Sequence, residues 1–284
     1  MIKPISNNDN KTLKNVIRNN LQVFHNFCEK HNLTYYLSDG TLLGAIRHKG
    51  MIPWDDDADV CMPRKDYNKL LSLAQKIDLP YKLEHFKLNK DYIYPIFKFT
   101  DTRINIKAYY GDSYYQTGVW IDIFPLDGTY ENLKLRKLHY NITKGLRFLF
   151  QLRTRNYSVP TDKTNKFKHF VKKNIKPIIF FIIKIIPKSF FFTLMDKCAS
   201  HKNFDKTKIV GNLYTFISIK ASHQKEWFAA RELSEFDGYK FYIPFGYDGY
   251  LTNLYGDYMT PPTESERKKH NIEIVAIDGV ILSE

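Results

Sequence analysis

The chain has little cysteine, no long unbroken apolar run and no repeat, and each shortage removes a class of protein. Three cysteines in 284 residues, Cys28, Cys61 and Cys198, are an odd number at no metal-ligand spacing, which argues against a disulfide framework or a zinc knuckle and fits reduced cytosol. The opening residues MIKPISNNDNK show no apolar stretch behind Lys3, so no signal peptide is expected. The most apolar run, PIIFFIIKIIP, is interrupted by Lys184 and closed by Pro187 and Lys188, well short of the roughly 20 residues that span a bilayer. No repeat or low-complexity linker divides the chain.

What is present describes a folded protein with an uneven charge. A hydrophobic fraction of 43% with 15% aromatics is enough for a sizeable core. The net charge of +13 is concentrated between Glu131 and Val210, where 19 Lys and Arg face four acids. Apolar residues at three- and four-residue steps predict a helix from Asp9 to Lys30, and TYYL at 34 to 37 reads as a short strand. Gly40 and Thr41 then predict a turn and a helix cap before LLGAIR. Residues 57 to 62 alternate as a strand, with Asp57, Asp59 and Cys61 on one face and Ala58, Val60 and Met62 on the other. Pro63 opens a further helix, and strands are expected at 81 to 86, 92 to 99, 103 to 109 and 118 to 124, with turns at Asn89, Asp101 and Gly111. From Glu131 to about Ile219 the pattern is helical and basic; 239 to 243 reads as a strand, and YDGYLTNLYG as a helix.

The chemistry is concentrated in Trp54-Asp55-Asp56-Asp57-Ala58-Asp59, four carboxylates in five positions at the mouth of a strand. Desolvated like charges repel by several kcal/mol unless a cation neutralises them, the alternative being a fully solvated acidic turn. Strand alternation puts Asp57 and Asp59 on one face about 7 Å apart, close enough to hold a divalent ion, and hard carboxylate oxygens favour Mg2+ or Mn2+ over zinc. A calcium loop beginning at Asp55 would need Gly at its sixth position and Glu at its twelfth, where Val60 and Asp66 stand. Asp122, between Ile121 and Ile123, offers a third carboxylate or else is an Asp satisfied at a strand end. The helix opening at Gly40 and Thr41 presents free N–H groups to a phosphate; with the carboxylate pair on the next strand it has the layout of a nucleotidyltransferase active site.

At these residues the chain resembles the LicD family, which includes fukutin and fukutin-related proteins. The matching runs are YYLSDGTLLGAIRHKGMIPWDDDADVCMPRKDY at 35 to 67, FKFTDTRI at 97 to 104, GVWIDIFPLDG at 118 to 128 and EFDGYKFYIPFGYDGYLTNLYGDYMTPP at 235 to 262. The resemblance implies an α+β fold: a nucleotidyltransferase-like mixed β-sheet core with flanking helices and a helical, basic middle insertion. The expected division is a catalytic core over 1–130, the basic segment over 131–220 and a C-terminal part over 221–284 that completes the core. The implied activity moves phosphocholine, or a polyol phosphate such as ribitol phosphate, from a CDP-linked donor to a glycan of lipopolysaccharide, teichoic acid or capsule. Carried over by position, Asp57 and Asp59 are metal ligands supported by Asp55, and Asp122 is the third ligand or the base that deprotonates the acceptor. Gly40, Thr41, Arg47, His48, Lys98 and Arg103 are candidates to hold the diphosphate. Trp54, Tyr255 and Asp257 form a candidate wall, Tyr255 to Asp257 closing one side of the site. Trp54 and Tyr109, Tyr110, Tyr114 and Tyr115 are offered as a choline cage, with core packing as the alternative.

In the basic segment, Lys163, Lys166, Lys168, Lys172, Lys173, Lys176, Lys184 and Lys188 surround the apolar run. Peripheral attachment of 163 to 188 to the inner face of the cytoplasmic membrane is one expectation, motivated by a lipid-linked acceptor; a core helix with a solvated lysine face is the other. A nucleotidyltransferase acting on a small molecule or RNA end is the rival enzyme. A basic nucleic-acid module is the non-enzymatic alternative, although lysines among aliphatics rather than stacking aromatics argue against it, and no nucleic acid partner is expected.

Overall fold

A computed structural model describes residues 7–110, 113–154, 176–214, 218–266, 272–277 and 280–281. The fold is a curled mixed sheet with helices against it, the α+β class expected from the sequence. Helix α1 (Asn7–Lys30) buries Leu13, Ile17, Leu21, Phe24 and Cys28, the stripe its periodicity announced. Strand β1 (Tyr36–Leu37) leads into α2 (Asp39–Arg47), followed by β2 (Asp59–Pro63) and α3 (Arg64–Ser72). Then come β3 (Tyr81–Glu84), the long pair β4 (Phe97–Tyr110) and β5 (Ser113–Thr129), and α4 (Leu133–Thr154). The later elements are α5 (Lys176–Ile185), α6 (Lys188–Ala199), β6 (Ile209–Gly211), β7 (Ser222–Gln224), β8 (Arg231–Phe236), β9 (Tyr239–Pro244), α7 (Tyr247–Tyr255), β10 (Ile272–Ile277) and β11 (Val280–Ile281).

The sheet runs β1-β2-β5-β4-β10-β11, with β3 also on β4 and β6 also on β5. The pairing of β2 with β5 is parallel, and that of β4 with β5 antiparallel. The strand expected at 57 to 62 runs from Asp59 to Pro63, and because it lies between β1 and β5 with both faces covered, Val60, Cys61 and Met62 are all buried. Only the two ends, Asp59 and Pro63, are part-exposed.

The strands expected at 92–99 and 103–109 are corrected to one. Residues 92–96 are not strand, and β4 runs straight through Asp101, where a register shift before Asn105 marks a bulge. The Asp101 carboxylate accepts the Arg103 N–H at 3.0 Å and its guanidinium at 2.6 Å. That local bonding reads as a turn in sequence, but here it stabilises a bulge. Gly118 serves it from the opposite strand, since a Cβ there would lie 1.8 Å from the Asp101 carbonyl oxygen. Gly111 lies outside the described residues.

The helical character of the middle segment ends at Ala199, not near Ile219, because β6 joins the main sheet through β5. Helices α4, α5 and α6 gather a second core around Tyr92, Tyr140, Phe150, Phe192 and Tyr214. An ion network ties it to the first core. Arg64 on α3 holds Asp127 on β5 at 2.5 and 2.7 Å and Asp196 on α6 at 2.8 Å, and Lys87 holds the other Asp196 oxygen at 2.7 Å.

Candidate active site

Three neighbouring strands create the site by register. Asp59 on β2 stands opposite Asp122 on β5, and Asp122 stands opposite Lys98 on β4, a row across the sheet at about 5 Å per strand. Asp57 precedes β2, and oxygens of Asp57, Asp59 and Asp122 come within 4.8 Å of one another. Asp55, Asp56 and Asp57 make a second such group, overlapping the first. The loop that carries them is pinned from α1, where the Lys14 ammonium donates to the carbonyls of Ile52 at 3.1 Å and Pro53 at 2.7 Å.

Helix α2 points its start at the same place, with a different cap from the one expected. Ser38, in extended conformation, is the N-cap, and Asp39 follows with φ 47°. Thr41 lies three residues past the N-cap, inside the helix. Its buried hydroxyl instead accepts the Asp59 N–H at 2.7 Å, while the Asp59 carbonyl accepts the Ser38 N–H at 3.1 Å. Thr41 therefore positions a carboxylate rather than facing a ligand. Gly40 lines the cavity, and a Cβ there would lie 2.8 Å from the Asp55 carboxylate, so a larger residue would require the Asp55 side chain to move.

The cavity at this corner measures about 700 Å3, within the range of small-molecule sites. Asp39, Asp55, Asp57, Asp59 and Asp122 supply its acids, Arg47 and Arg147 its cations, and Trp54, Phe124, Tyr255 and Tyr258 its aromatic walls. Asp257 also lines it, placed by the end of α7, where Gly256 takes φ 73° to stop the helix. Arg47 donates to the Tyr258 carbonyl at 2.7 Å and sits 6.0 Å over the Trp54 ring. His48 stands behind them, edge-on to Trp54 at 6.0 Å, and is not among the lining residues.

Two cations expected on the diphosphate are placed otherwise. Arg103 is away from the cavity, bonded to Asp101 and to the Tyr81 hydroxyl. Lys98 is 2% exposed, lies 3.7 Å over Trp120 and 4.3 Å over Tyr94, and its ammonium holds Asp122 at 2.5 Å. Part of the repulsion among the acids is thus offset by the protein's own ammonium. Of the tyrosines offered as a choline cage, Tyr115 donates to Glu84 and packs on Tyr92 and Tyr94, outside the cavity; the side chains of Tyr109, Tyr110 and Tyr114 lie outside the described residues.

The electrostatics remain strained. Desolvation first, then Asp57, Asp39, Asp122 and Asp55, push the Asp59 carboxyl well above its ordinary range. Desolvation lifts Asp39 to about 6 despite hydrogen bonds from Ser38 and Tyr250 that pull it down. Desolvation of its hydroxyl and then Asp39, Asp59, Asp55 and Asp57 raise the Tyr255 phenol, keeping it a donor. Clustered hard oxygens with too little positive charge around them fit a divalent cation.

Sequence reasoning missed Asp39, Arg147, Asn212 and Tyr258 in this lining. Asp39 lies inside the SDGT run, so a signal was available; Arg147 on α4 and Asn212 after β6 come from the basic segment, where nothing local separates them from their neighbours.

The chain is also similar to known proteins. The profile of the LicD/FKTN/FKRP nucleotidyltransferase domain matches residues 32–178. The lipopolysaccharide cholinephosphotransferase LicD of Haemophilus influenzae is 34% identical over 269 residues, covering 91% of this chain and 94% of that one. An uncharacterized protein of Rickettsia typhi is 40% identical over 65 residues, 22% of this chain and 21% of its own length.

Proposed function

The chain belongs to the LicD/FKTN/FKRP nucleotidyltransferase-domain family, and from that premise we propose that it transfers phosphocholine from CDP-choline to a hydroxyl of a lipid-linked lipopolysaccharide glycan. The observation that carries the reading is the Asp57, Asp59 and Asp122 trio at the start of α2, in a cavity of nucleotide-compatible size. The cholinephosphotransferase relative, aligned over nearly its whole length, supports the reaction class. Choline is favoured over ribitol because the walls pair aromatic rings with a surplus of carboxylates, which attracts an ammonium and has no such use for a polyol. A reducing compartment, the cytosol, suits the three free thiols.

In this reading the acceptor oxygen bonds to the phosphorus that carries choline, and the bond from that phosphorus to the bridging oxygen breaks. CMP leaves with the electron pair. Arg47, Arg147 and the first N–H groups of α2 hold the diphosphate, and Thr41 holds β2 in place beneath it. Asp122 keeps an oxygen beyond the one bonded to Lys98, available as ligand or as base for the hydroxyl proton. A magnesium ion held by Asp57, Asp59 and Asp122, with Asp55 behind them, would neutralise charge on the phosphate oxygens.

The test is incubation of the protein and a lipopolysaccharide acceptor with labelled CDP-choline, CDP-ribitol, CTP or ATP, with and without Mg2+. Metal-dependent release of CMP with choline label on the glycan is expected. Release of pyrophosphate from CTP or ATP instead would identify a nucleotidyltransferase, and ribitol label would overturn the choice of alcohol.

A further inference from the structure

Twelve of the nineteen large apolar or aromatic side chains that stand exposed on the described surface lie on α4, α5 and α6. Helix α4 is apolar on two faces. Tyr140, Thr143 and Phe150 turn into the second core, while Leu135, Leu138, Ile142 and Leu149, spaced by three, four and seven residues, form a second stripe that the core does not use. That stripe faces α6 across a groove of about 440 Å3, whose walls are Leu135, Leu138, Ile142, Leu146 and Leu194, with Lys197 and His201 also at the lining. On α5, which packs on α4, Ile178, Phe181, Ile182 and Ile185 are each more than half exposed.

Charge decides what covers such a surface. Lys134, Lys137, Lys144, Lys184 and Lys197 stand exposed on the same three helices, Lys197 at the groove itself. The one acid on the three helices is Asp196, already bound to Arg64 and Lys87. A second copy of the chain would press one lysine field against another. A nucleic acid would meet aliphatic chains where it needs stacking rings. An anionic bilayer accepts both parts at once, the aliphatics entering the boundary between headgroups and acyl chains and the lysines meeting phosphates. No helix among the described residues is long and apolar enough to cross a membrane, so contact would be with the surface.

We infer that the lysine-bordered apolar face of α4 and α6, with α5 beside it, is a docking surface for an anionic phospholipid bilayer, its groove receiving an acyl chain. The inference does not depend on the reaction proposed above. It shifts membrane contact from a single run at 163 to 188 to a surface assembled from three helices. Residues 163–175 lie outside the described residues and take no part in the argument. Arg147 extends from the same α4 into the catalytic cavity, so docking would hold that cavity near the membrane plane.

Co-sedimentation of the full chain with vesicles reads the surface without turnover, so a negative result leaves the catalytic proposal standing. Vesicles containing phosphatidylglycerol should bind the protein at least about tenfold more strongly than phosphatidylcholine alone, with binding falling as salt rises. Leu138→Glu with Ile142→Glu, at positions 55% and 45% exposed, should weaken binding about tenfold with the melting temperature unchanged. The charge variant Lys137→Glu with Lys197→Glu should do the same, and it keeps the test open if the first pair unfolds. No binding to anionic vesicles at low salt overturns the proposal. So does parent-like binding by folded variants of both kinds, or a dimer of the parent that the Leu138 and Ile142 pair dissociates.

Discussion

At Asp59, desolvation and the charges of Asp57, Asp39, Asp122 and Asp55 all act in one direction, disfavouring the ionised carboxyl. Replacing it by Asn removes a charge that destabilises the metal-free fold and, in the proposed reaction, a metal ligand. Asp59→Asn should therefore lower turnover by roughly 10³-fold or more while raising metal-free stability by about 1–2 kcal/mol, read by urea unfolding in EDTA. Asp57→Asn should lose turnover similarly, and near-normal activity in either variant would remove the ligand assignment. The pH dependence has a definite sign. Asp39, lifted from 3.8 to about 6, and Asp59, lifted too, bind protons more tightly folded than unfolded; the contribution of Asp39 to stability is complete below about pH 4 and lost as pH rises through about 6. A metal needs the deprotonated forms. The gain in melting temperature on adding Mg2+ should thus be small at about pH 5 and several degrees at about pH 7.5, and a gain constant across that window would contradict it. The cluster was legible in the sequence because its four acids fall within five consecutive positions and are brought together by the chain itself. The assignment of Lys98 was not, since a lysine flanked by Phe97 and Phe99 does not reveal that Asp122 stands opposite it on the next strand.

Among the elements, α3, β5 and α6 meet through Arg64, which is 12% exposed and bonded to a fully buried Asp127 and to Asp196. Arg64→Met strands a buried carboxylate, so it should destabilise the protein by about 3–5 kcal/mol; a loss under 1 kcal/mol in urea unfolding would show that the network is not needed. The site itself depends on strand register. Since side chains alternate every residue, a slip of one position between β2 and β5 would turn Asp122 to the far face of the sheet. Helices α1 and α7 were readable from periodicity, and β9 from its apolar composition. The lengths of β4 and β5 were not, because the Asp101 turn signal is a bulge whose fit depends on Gly118 across the ladder, a partner that local patterns do not identify.

For the molecule as a whole, the basic segment contributes to the wall of the acidic cavity. Arg147 reaches the cavity from α4, its guanidinium donating to the Tyr214 carbonyl, and Asn212 reaches it from the loop after β6. With Arg47 it is one of two cations in the lining, so Arg147→Met should lower kcat/KM for the CDP-linked donor by about 10- to 100-fold, mostly through KM. A donor KM unchanged in a folded variant would place the diphosphate elsewhere. The amino-acid sequence alone determined the acid cluster, the helix that opens beside it, the fold class and the family, because these depend on residue types close together in the chain. Tertiary structure alone decided that Lys98 pairs with Asp122, that Arg103 bonds at a bulge, that the Thr41 hydroxyl bonds β2, and that Arg147 lines the cavity. Each of those depends on which residue another strand or helix brings within about 3 Å, a distance set by register and packing and not written in any local run of residues.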